Sequence, residues 1–555
     1  MERERAASQK IAETNARSNM KFFPFFLILT LLPSLISCDD GDVRANQTIV
    51  GGGTVPAGYD GPITRVLEDN IHSTKQNSSL ILSEASYLYS NTFGYTRFMA
   101  HCNANGYPHD RITGGYLTAD VLKNYDVLLI NLVHDTRPDF TEAERQAIID
   151  FVHGGGGLFV VADHTNVYLH AERLNRFLTE MGVTIRYESA VDEGEHSVEG
   201  KAWILINDFA QHPVTDGVSE ISFLTGGTMD GAGGMAFISE QGWGDFWNPD
   251  NEEKPVGMYG NWAKDPDEDY GPLPVSQAVA YGDGRIFVIG DQNIFGNPYL
   301  YFIDNHKIAF NAMEWLAKRE TEQPRLRLRR PDGFHIRIDT RADRFSMSQV
   351  FEGTDRFTFL INLSRHAEVI AHATRAPLDY LPEVFMVADP MDTVDASSLA
   401  EADAVLDAGG TVVLIQDPER TTAATVAFVQ HFLPEPGLAT SAGAPWTYAD
   451  GYYAEALTDV RVTLPLRAQT HTYPACPALT CPGHAVLSGT AGTDTCDILC
   501  EYPAGNGRVL LMLAGAWFNQ ANLGSFLTSP EGVQVYHVDA EMEFTRMLVE
   551  WPGNL

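Results

Sequence analysis

The chain has 555 residues, 44% of them hydrophobic and 10% aromatic, and a formal net charge of −35. That length exceeds a single hydrophobic core and calls for two domains or more, and the composition excludes wholesale disorder. So acidic a chain lacks the basic face that broad nucleic-acid binding needs; its charge favours solubility and suits a saline or cell-surface setting.

Residues 1–19 are polar and charged. From Met20 the chain reads MKFFPFFLILTLLPSLISC, with one Lys, a short apolar run and then Leu35-Ile36-Ser37-Cys38. A run of this length behind a basic flank is a secretory signal and not a membrane span. Its L-x-S-C ending resembles the bacterial lipoprotein lipobox. The resemblance implies a signal peptide over residues 1–38, a lipidated Cys38 as mature N-terminus and the lipid bilayer as partner; the alternative is an ordinary signal peptide with an incidental Cys. The expected location is the cell envelope, extracytoplasmic, with periplasmic and surface sides both open. In an oxidising compartment Cys476, Cys481, Cys496 and Cys500 favour two disulfides stapling a loop. Their spacing does not match a standard zinc site. Cys102 is left over as a buried free thiol.

Residues 39–77 are rich in Gly, Asn and Thr and read as a flexible tether. Ser79 to Ser83 is then expected as a first short strand, leading into Glu84. Asp126 to Val133 is nearly all apolar, as a strand covered on both faces should be, and ends at His134-Asp135. Thr141 to Glu144 has capping-box spacing, Ile148, Ile149 and Val152 supply a helical stripe, and Gly154 ends that helix. The strand Leu158–Ala162 follows, then Asp163-His164-Thr165-Asn166 and a helix from about Val167 to Met181. Strand–helix–strand–helix order predicts an α/β fold with a doubly wound, mainly parallel sheet. Further on come the turn His212–Val218, a polar loop with Trp243, Trp247 and Trp262, a strand Gly284–Ile289 ending in Asp291 and Asn293, and a helix Asn305–Lys318. The acidic loop Asp265–Gly271 departs from a calcium loop in its Gly position and lacks Glu at position twelve. Residues 319–333 form the only basic run and read as a solvated interdomain linker.

The pattern then repeats. Phe357–Leu363 matches the first strand, Glu383–Asp389 the second, Ser398–Glu401 the capping box, Gly409–Ile415 the glycine-led strand and Gly507–Leu511 the strand after Gly284; a helix from about Ala540 to Trp551 closes the copy. The expected organisation is a first domain over 78–318, a linker and domain start over 319–350, and a second, degenerate domain over 351–555 carrying the Cys-rich loop 476–500. Aligned by sequence, His134 becomes Met391, Asp163 becomes Gln416, His164 becomes Asp417 and Asp291 becomes Ala514. The scaffold persists while the polar set is lost, which points to function in the first copy.

The segments YDVLLINLVHD (125–135), GGGGLFVVADHTN (154–166), HPVTDGV (212–218) and GRIFVIGDQNIFGN (284–297) resemble the class I glutamine amidotransferase-like superfamily. Its trehalose-utilisation and gliding-motility-auxiliary branches are the nearest likeness. The resemblance implies two tandem flavodoxin-like domains. It also exposes a departure: where amidotransferases carry a Cys nucleophile in a tight elbow, this chain has Ala162-Asp163-His164, so thiolate chemistry is disfavoured. Ligands of open α/β sheets bind outside the carboxyl ends of the strands. That places His134, Asp163, His164 and Asp291 as candidate catalytic groups and Glu84, Asp135, Asn166 and Asn293 as candidate ligand-binding groups. His134, Asp163 and His164 could hold a divalent metal. Against these stands the reading that strand-end Asp and His cap helices and loops. Two functions follow: a lipoprotein that binds a ligand, a glycan or envelope protein among the options, or serves as scaffold; and a metal-dependent or acid–base hydrolase or lyase on a carbohydrate-like substrate.

Overall fold

The computed structural model describes residues 47–73, 94–193, 196–199, 203–246, 260–297, 299–341, 366, 368–388, 395–415, 427, 430–432, 456–464, 469–477, 484–512, 526–528, 534–536 and 547–549. Its frame is two nine-stranded sheets. The first is built from β1 (Thr48–Gly51), β2 (Val66–Asp69), β3 (His109–Gly114), β4 (Val127–Asn131), β5 (Gly157–Val161), β6 (Asp208–Phe209), β7 (Gly234–Phe237), β8 (Pro274–Tyr281) and β9 (Gly284–Ile289), in the order β1-β3-β2-β4-β5-β9-β8-β7-β6. Strands β3, β2, β4, β5 and β9 run parallel. The rest join antiparallel at the two sides.

The apolar runs explain this frame. Every residue of β4 and β5 is buried, and alternate residues serve opposite faces. Leu129, Phe159 and Phe287 pack into one core with α1 (Thr96–Ala104) and α5 (Asn305–Leu316). Leu128, Leu158 and Ile286 pack into another with α2 (Ala119–Leu122), α3 (Glu142–His153) and α4 (His170–Leu178). Helices therefore cover both faces, and the fold is α/β and doubly wound. Helix α3 starts in the expected capping box, with Thr141 accepting from the Glu144 backbone and Glu144 reaching back to Thr141. The helix expected over Val167–Met181 is instead α4 flanked by single 3₁₀ turns, because Tyr168 and Leu169 adopt left-handed φ values of 56° and 59°.

Two expectations shift at the start of the domain. Ser79–Ser83 lies outside the described residues, and the leading strand is β2, inside the segment expected to be a tether. Its four residues VLED are all buried between β3 and β4. Strand β1 also falls in that segment, as an exposed edge on β3. The domain thus begins some thirty residues before position 78.

The second sheet contains β10 (Phe334–Asp339), β11 (Val369–Thr374), β12 (Val384–Ala388), β13 (Thr411–Ile415), β14 (Ala456–Leu464), β15 (Gln469–Pro477), β16 (His484–Ala491), β17 (Asp494–Ala504) and β18 (Gly507–Met512). Its order is β11-β10-β12-β13-β18-β17-β16-β14-β15. The run β3-β2-β4-β5-β9-β8-β7 of the first sheet and β11-β10-β12-β13-β18-β17-β16 of the second match strand for strand. They match in direction too, five parallel strands and then two antiparallel ones. The internal repeat is thus a repeat of topology. Its first strand is β10, within the stretch expected as linker and domain start; Phe357–Leu363 lies outside the described residues.

The ladders also correct the alignment. Helix α6 (Ala396–Asp407) equals α3 in length, and its N-cap is Asp395, which accepts from the Ser397 backbone. The Ser398–Glu401 likeness is therefore one turn out of step. Gly157 and Thr411 occupy equivalent ladder positions, each paired with the first residue of the preceding parallel strand. Counting on, Asp163 matches Asp417 and His164 matches Pro418, while Asp291 still matches Ala514. Glu68 matches Ile338, since Val66 and Ile336 hold the same place against β4 and β12.

The basic run is packed in part rather than solvated throughout. Leu326 and Arg325 are buried, with Arg325 Nε donating to Glu314 at 2.5 Å and Arg327 to Asn311 at 3.0 Å. Helix α5 supplies acceptors for the arginines, so the run packs as part of the first domain's shell.

Candidate functional site

Four neighbouring strands of the first sheet end in polar residues at the carboxyl edge, and the backbone there is unusual. Eight described non-glycine residues have positive φ, and five of them sit at this edge or its facing turn: Leu132, Thr165, Tyr168, Leu169 and Thr225. Each such residue costs on the order of 1–3 kcal/mol unless its surroundings hold it. Glycine is required beside them by close approach. A Cβ on Gly290 would meet the Gly227 carbonyl at 2.2 Å, and one on Gly227 the Asp163 carbonyl at 2.8 Å. The ends of β5 and β9 and the turn after the short strand Ile221–Leu224 therefore touch backbone to backbone.

Asp291 closes this arrangement. It is fully buried, and its two carboxylate oxygens accept from the backbone N–H groups of Leu224 and Asn293, both at 2.6 Å. Burial pushes its carboxyl up to about 7 even though those donors pull the other way. Asn293 returns a bond to the Leu224 carbonyl at 3.2 Å. The Asp163 carboxylate accepts from the His164 backbone at 2.8 Å. The Asp163 backbone N–H donates to His170 Nε2 at 3.1 Å, which makes Nδ1 of that ring the donor to the Val167 carbonyl at 2.7 Å. Burial holds His164 down at about 3 and His170 at about 4, so both rings are neutral at ordinary pH. Asn166 caps the Glu172 backbone at 3.0 Å.

Tyr95, just ahead of α1, reaches this edge. Its hydroxyl donates to the Gln292 carbonyl at 2.6 Å. Its phenol is pushed far up, first by burial and then by the charges of Asp291, Asp163 and Glu68. Carboxylates at the ends of β2, β5 and β9 thus share an electrostatic neighbour in one phenol. Glu68 and Tyr95 were missed in the sequence. Glu68 stood in the presumed tether, and Tyr95 in a stretch without strand or capping signals.

Among the described residues no group of three or more His, Cys, Asp or Glu is placed to hold a metal ion. His134 is turned outward from Asp163 and His164: its ring stacks on Tyr168 at 4.2 Å, and its Nδ1 accepts from the Thr136 backbone at 3.1 Å. Asp135 stands 2.9 Å from the same nitrogen and is half exposed. His164 Nδ1 is 3.0 Å from Thr165 Oγ1. His134 and Asp135 therefore form an outer pair and Asp163, His164 and Asp291 an inner set. Glu84 lies outside the described residues.

The other loop candidates resolve as structure. Trp243 is fully buried on the short strand Trp243–Phe246, and Trp247 lies outside the described residues. Glu268 accepts from the backbones of Phe246 and Asp265, and Asp245 from Asn261 and Trp262, so these acids tie loops together. Cys102 is a buried free thiol whose titration burial pushes well above the ordinary range.

Comparison with known proteins gives likenesses to one family model and to several solved structures. Residues 117–313 match the family model described as a domain of unknown function, DUF4350. No curated protein matches the chain. Among solved structures, a putative ThuA-like protein from Bacteroides uniformis is 16% identical, covering 47% of this chain and 94% of its own, with a TM-score of 0.26. One from Parabacteroides merdae is 13% identical, covering 47% and 93%, with a TM-score of 0.27. A structure titled mmIFT52 N-terminal domain is 12% identical, covering 47% and 99%, with a TM-score of 0.33.

Proposed function

We propose that the first domain binds a small polar ligand, a glycan being the class we favour, at the carboxyl edge of its sheet, and that the second copy is scaffold. One observation carries this reading. Glu68, Asp163 and Asp291 stand at the carboxyl ends of three strands of the first copy and their charges all act on Tyr95, where the second copy has Ile338 and Ala514 at two of the three positions. Buried carboxylates and strained turns are costly to a fold, and proteins retain them chiefly at sites of function. Acceptor-rich strand ends beside a tyrosine suit the hydroxyls of a sugar. The test is an oligosaccharide-binding screen of the purified protein followed by Glu68→Gln and Tyr95→Phe. Loss of binding with an unchanged unfolding midpoint supports the reading, and unchanged binding contradicts it.

A second reading, an acid–base hydrolase or lyase on a carbohydrate-like substrate, draws on Asp291, whose carboxyl near 7 is matched to proton transfer at neutral pH. Against it, both oxygens of Asp291 are occupied by backbone donors. Release of new reducing ends from a bound oligosaccharide, lost in Asp291→Asn, would favour catalysis over binding.

The setting we propose is a lipid-anchored extracytoplasmic protein of amidotransferase-like ancestry without the Cys nucleophile. The sequence from Met20 to Cys38 supports the anchor; incorporation of labelled palmitate, abolished by Cys38→Ser, tests it. Bridging among Cys476, Cys481, Cys496 and Cys500 belongs to the same proposal. It draws support from the burial of Cys500 on β17.

A further inference from the structure

Three buried histidines and one half-buried one meet where the two copies join. His101 is on α1 and His306 on α5, both in the first domain; His335 is on β10 and His372 on β11, both in the second. Rings link them in a chain. His335 stacks on His372 at 5.3 Å, His372 meets Tyr301 at 4.8 Å, Tyr301 meets His306 at 5.4 Å, and Phe310 bridges His306 to His101 at 6.3 and 4.5 Å. The same place holds the backbone joint between the copies. Ile303 donates to the Ala373 carbonyl at 2.7 Å, and Ala373 to the Tyr301 carbonyl at 3.3 Å.

The hydrogen bonds fix the protonation that the joint accepts. His335 Nε2 donates to the Pro331 carbonyl at 2.9 Å, so its Nδ1 must accept from His372 Nε2, 3.0 Å away. A proton added to His335 Nδ1 would set two donors against each other. His306 Nδ1 is buried without a hydrogen-bond partner, so it has no acceptor for a proton either.

The charges around the cluster are mainly positive. The connecting segment brings Arg327 toward His306, Arg329 toward His101, and Arg330 toward His335 and His372; Arg337 faces His372 from β10. Lys307 lies beside His306 on α5, and Arg97 on α1 donates to the His366 and Val369 carbonyls across the joint. The opposing carboxylates are Asp304 near His306, Asp332 near His101 and His335, and Glu383 near His335. The nearby Tyr380 hydroxyl, 3.3 Å from His372 Nε2, is neutral. Burial first, then these cations and the other histidines, holds His306 at about 3, His101 and His335 at about 4, and His372 well below its ordinary value.

We propose that this joint is an acid-released latch: with the four histidines neutral the two copies stay docked, and mild acid separates them without unfolding either sheet. Burial is the main reason the joint is intolerant of protons, and the arginine run 325–330, which the ligand site does not use, adds to it. Each histidine that regains its ordinary affinity on opening multiplies the opening constant about thirtyfold at pH 5 relative to neutral pH.

Hydrogen exchange of the purified full chain at pH 7.5 and 5.0, corrected for the intrinsic pH dependence of exchange, tests this. Protection at Ile303 and Ala373 is expected to fall about thirtyfold or more, to return on neutralisation, and to fall less in His306→Gln; the strand Gly157–Val161 is expected to stay better protected than Ile303 and Ala373 at both pH values. Unchanged protection at Ile303 and Ala373, or loss in step with Gly157–Val161, would overturn the proposal. If His306→Gln does not fold, the wild-type comparison of the joint with Gly157–Val161 still decides.

Discussion

At the residue scale, the same side-chain types play opposite parts on either side of one strand end. Asp69 of β2 is a structural acid: it accepts from the backbones of Ile71 and His72 and pairs with the His72 ring at 2.7 Å, and that ring lies 3.6 Å from Glu144 in the first turn of α3. Asp339 keeps the task in the second copy, where it receives the hydroxyl of Ser398, the α6 position equivalent to Glu144. Glu68, one residue earlier, has no counterpart but Ile338. Asp69 is preserved and holds the scaffold together, whereas Glu68 and Asp291 are not preserved and mark the proposed site. Asp291 gives a prediction with a definite sign. Its folded value near 7 lies above that of an unfolded Asp, so its contribution to stability is full below about pH 4 and is lost as pH rises toward 7. Asp291→Asn should flatten that part of the stability–pH curve in urea titrations; an unaltered slope between pH 4 and 7 would contradict the assignment.

At the element scale, the Gly-Arg strand starts that revealed the repeat have a common steric cause. A Cβ on Gly284 would lie 1.9 Å from the Val152 carbonyl and 2.4 Å from that of Gly156; one on Gly507 would lie 2.2 Å from the carbonyl of Gly410 and 3.1 Å from that of Leu406. In each copy the strand begins against the end of the preceding helix. Gly284→Ala and Gly507→Ala should each destabilise by about 2 kcal/mol or more, as overpacking against backbone does, read as a fall in denaturant midpoint. Thr141→Ala and Asp395→Ala should each cost about 1 kcal/mol, the usual worth of an N-cap. Long apolar strands, the Thr141 box and the glycine-led starts were legible because burial on both faces and capping leave local patterns. Strands β2 and β10 were not: VLED and FHIRID carry charge inside the sheet, where Arg337 and Glu401 at 3.0 Å compensate each other. Such pairing is tertiary and leaves no period in the sequence. The loss of Asp163 from the second copy was likewise a reading of sequence spacing that the ladder register corrected.

At the scale of the whole molecule, buried neutral histidines dominate the response to acid. Burial holds His101, His109, His164, His170, His306 and His335 near 3 or 4. Their folded values lie below those of the unfolded chain, so their contribution is full above about pH 6.5 and is lost as pH falls toward 4. The sign opposes that of Asp291, and six groups outweigh one: the thermal midpoint should drop steeply between pH 7 and 5. On the proposed reading the duplicated frame divides labour, with both sheets built on one topology and the ligand site on the first. The most direct test of that division is the affinity of wild-type protein and Glu68→Gln for an oligosaccharide selected by the wild type, measured by calorimetry at pH 7.5. A loss of tenfold or more, about 1.4 kcal/mol, with an unchanged unfolding midpoint is the predicted result; equal affinities for the two proteins would contradict it.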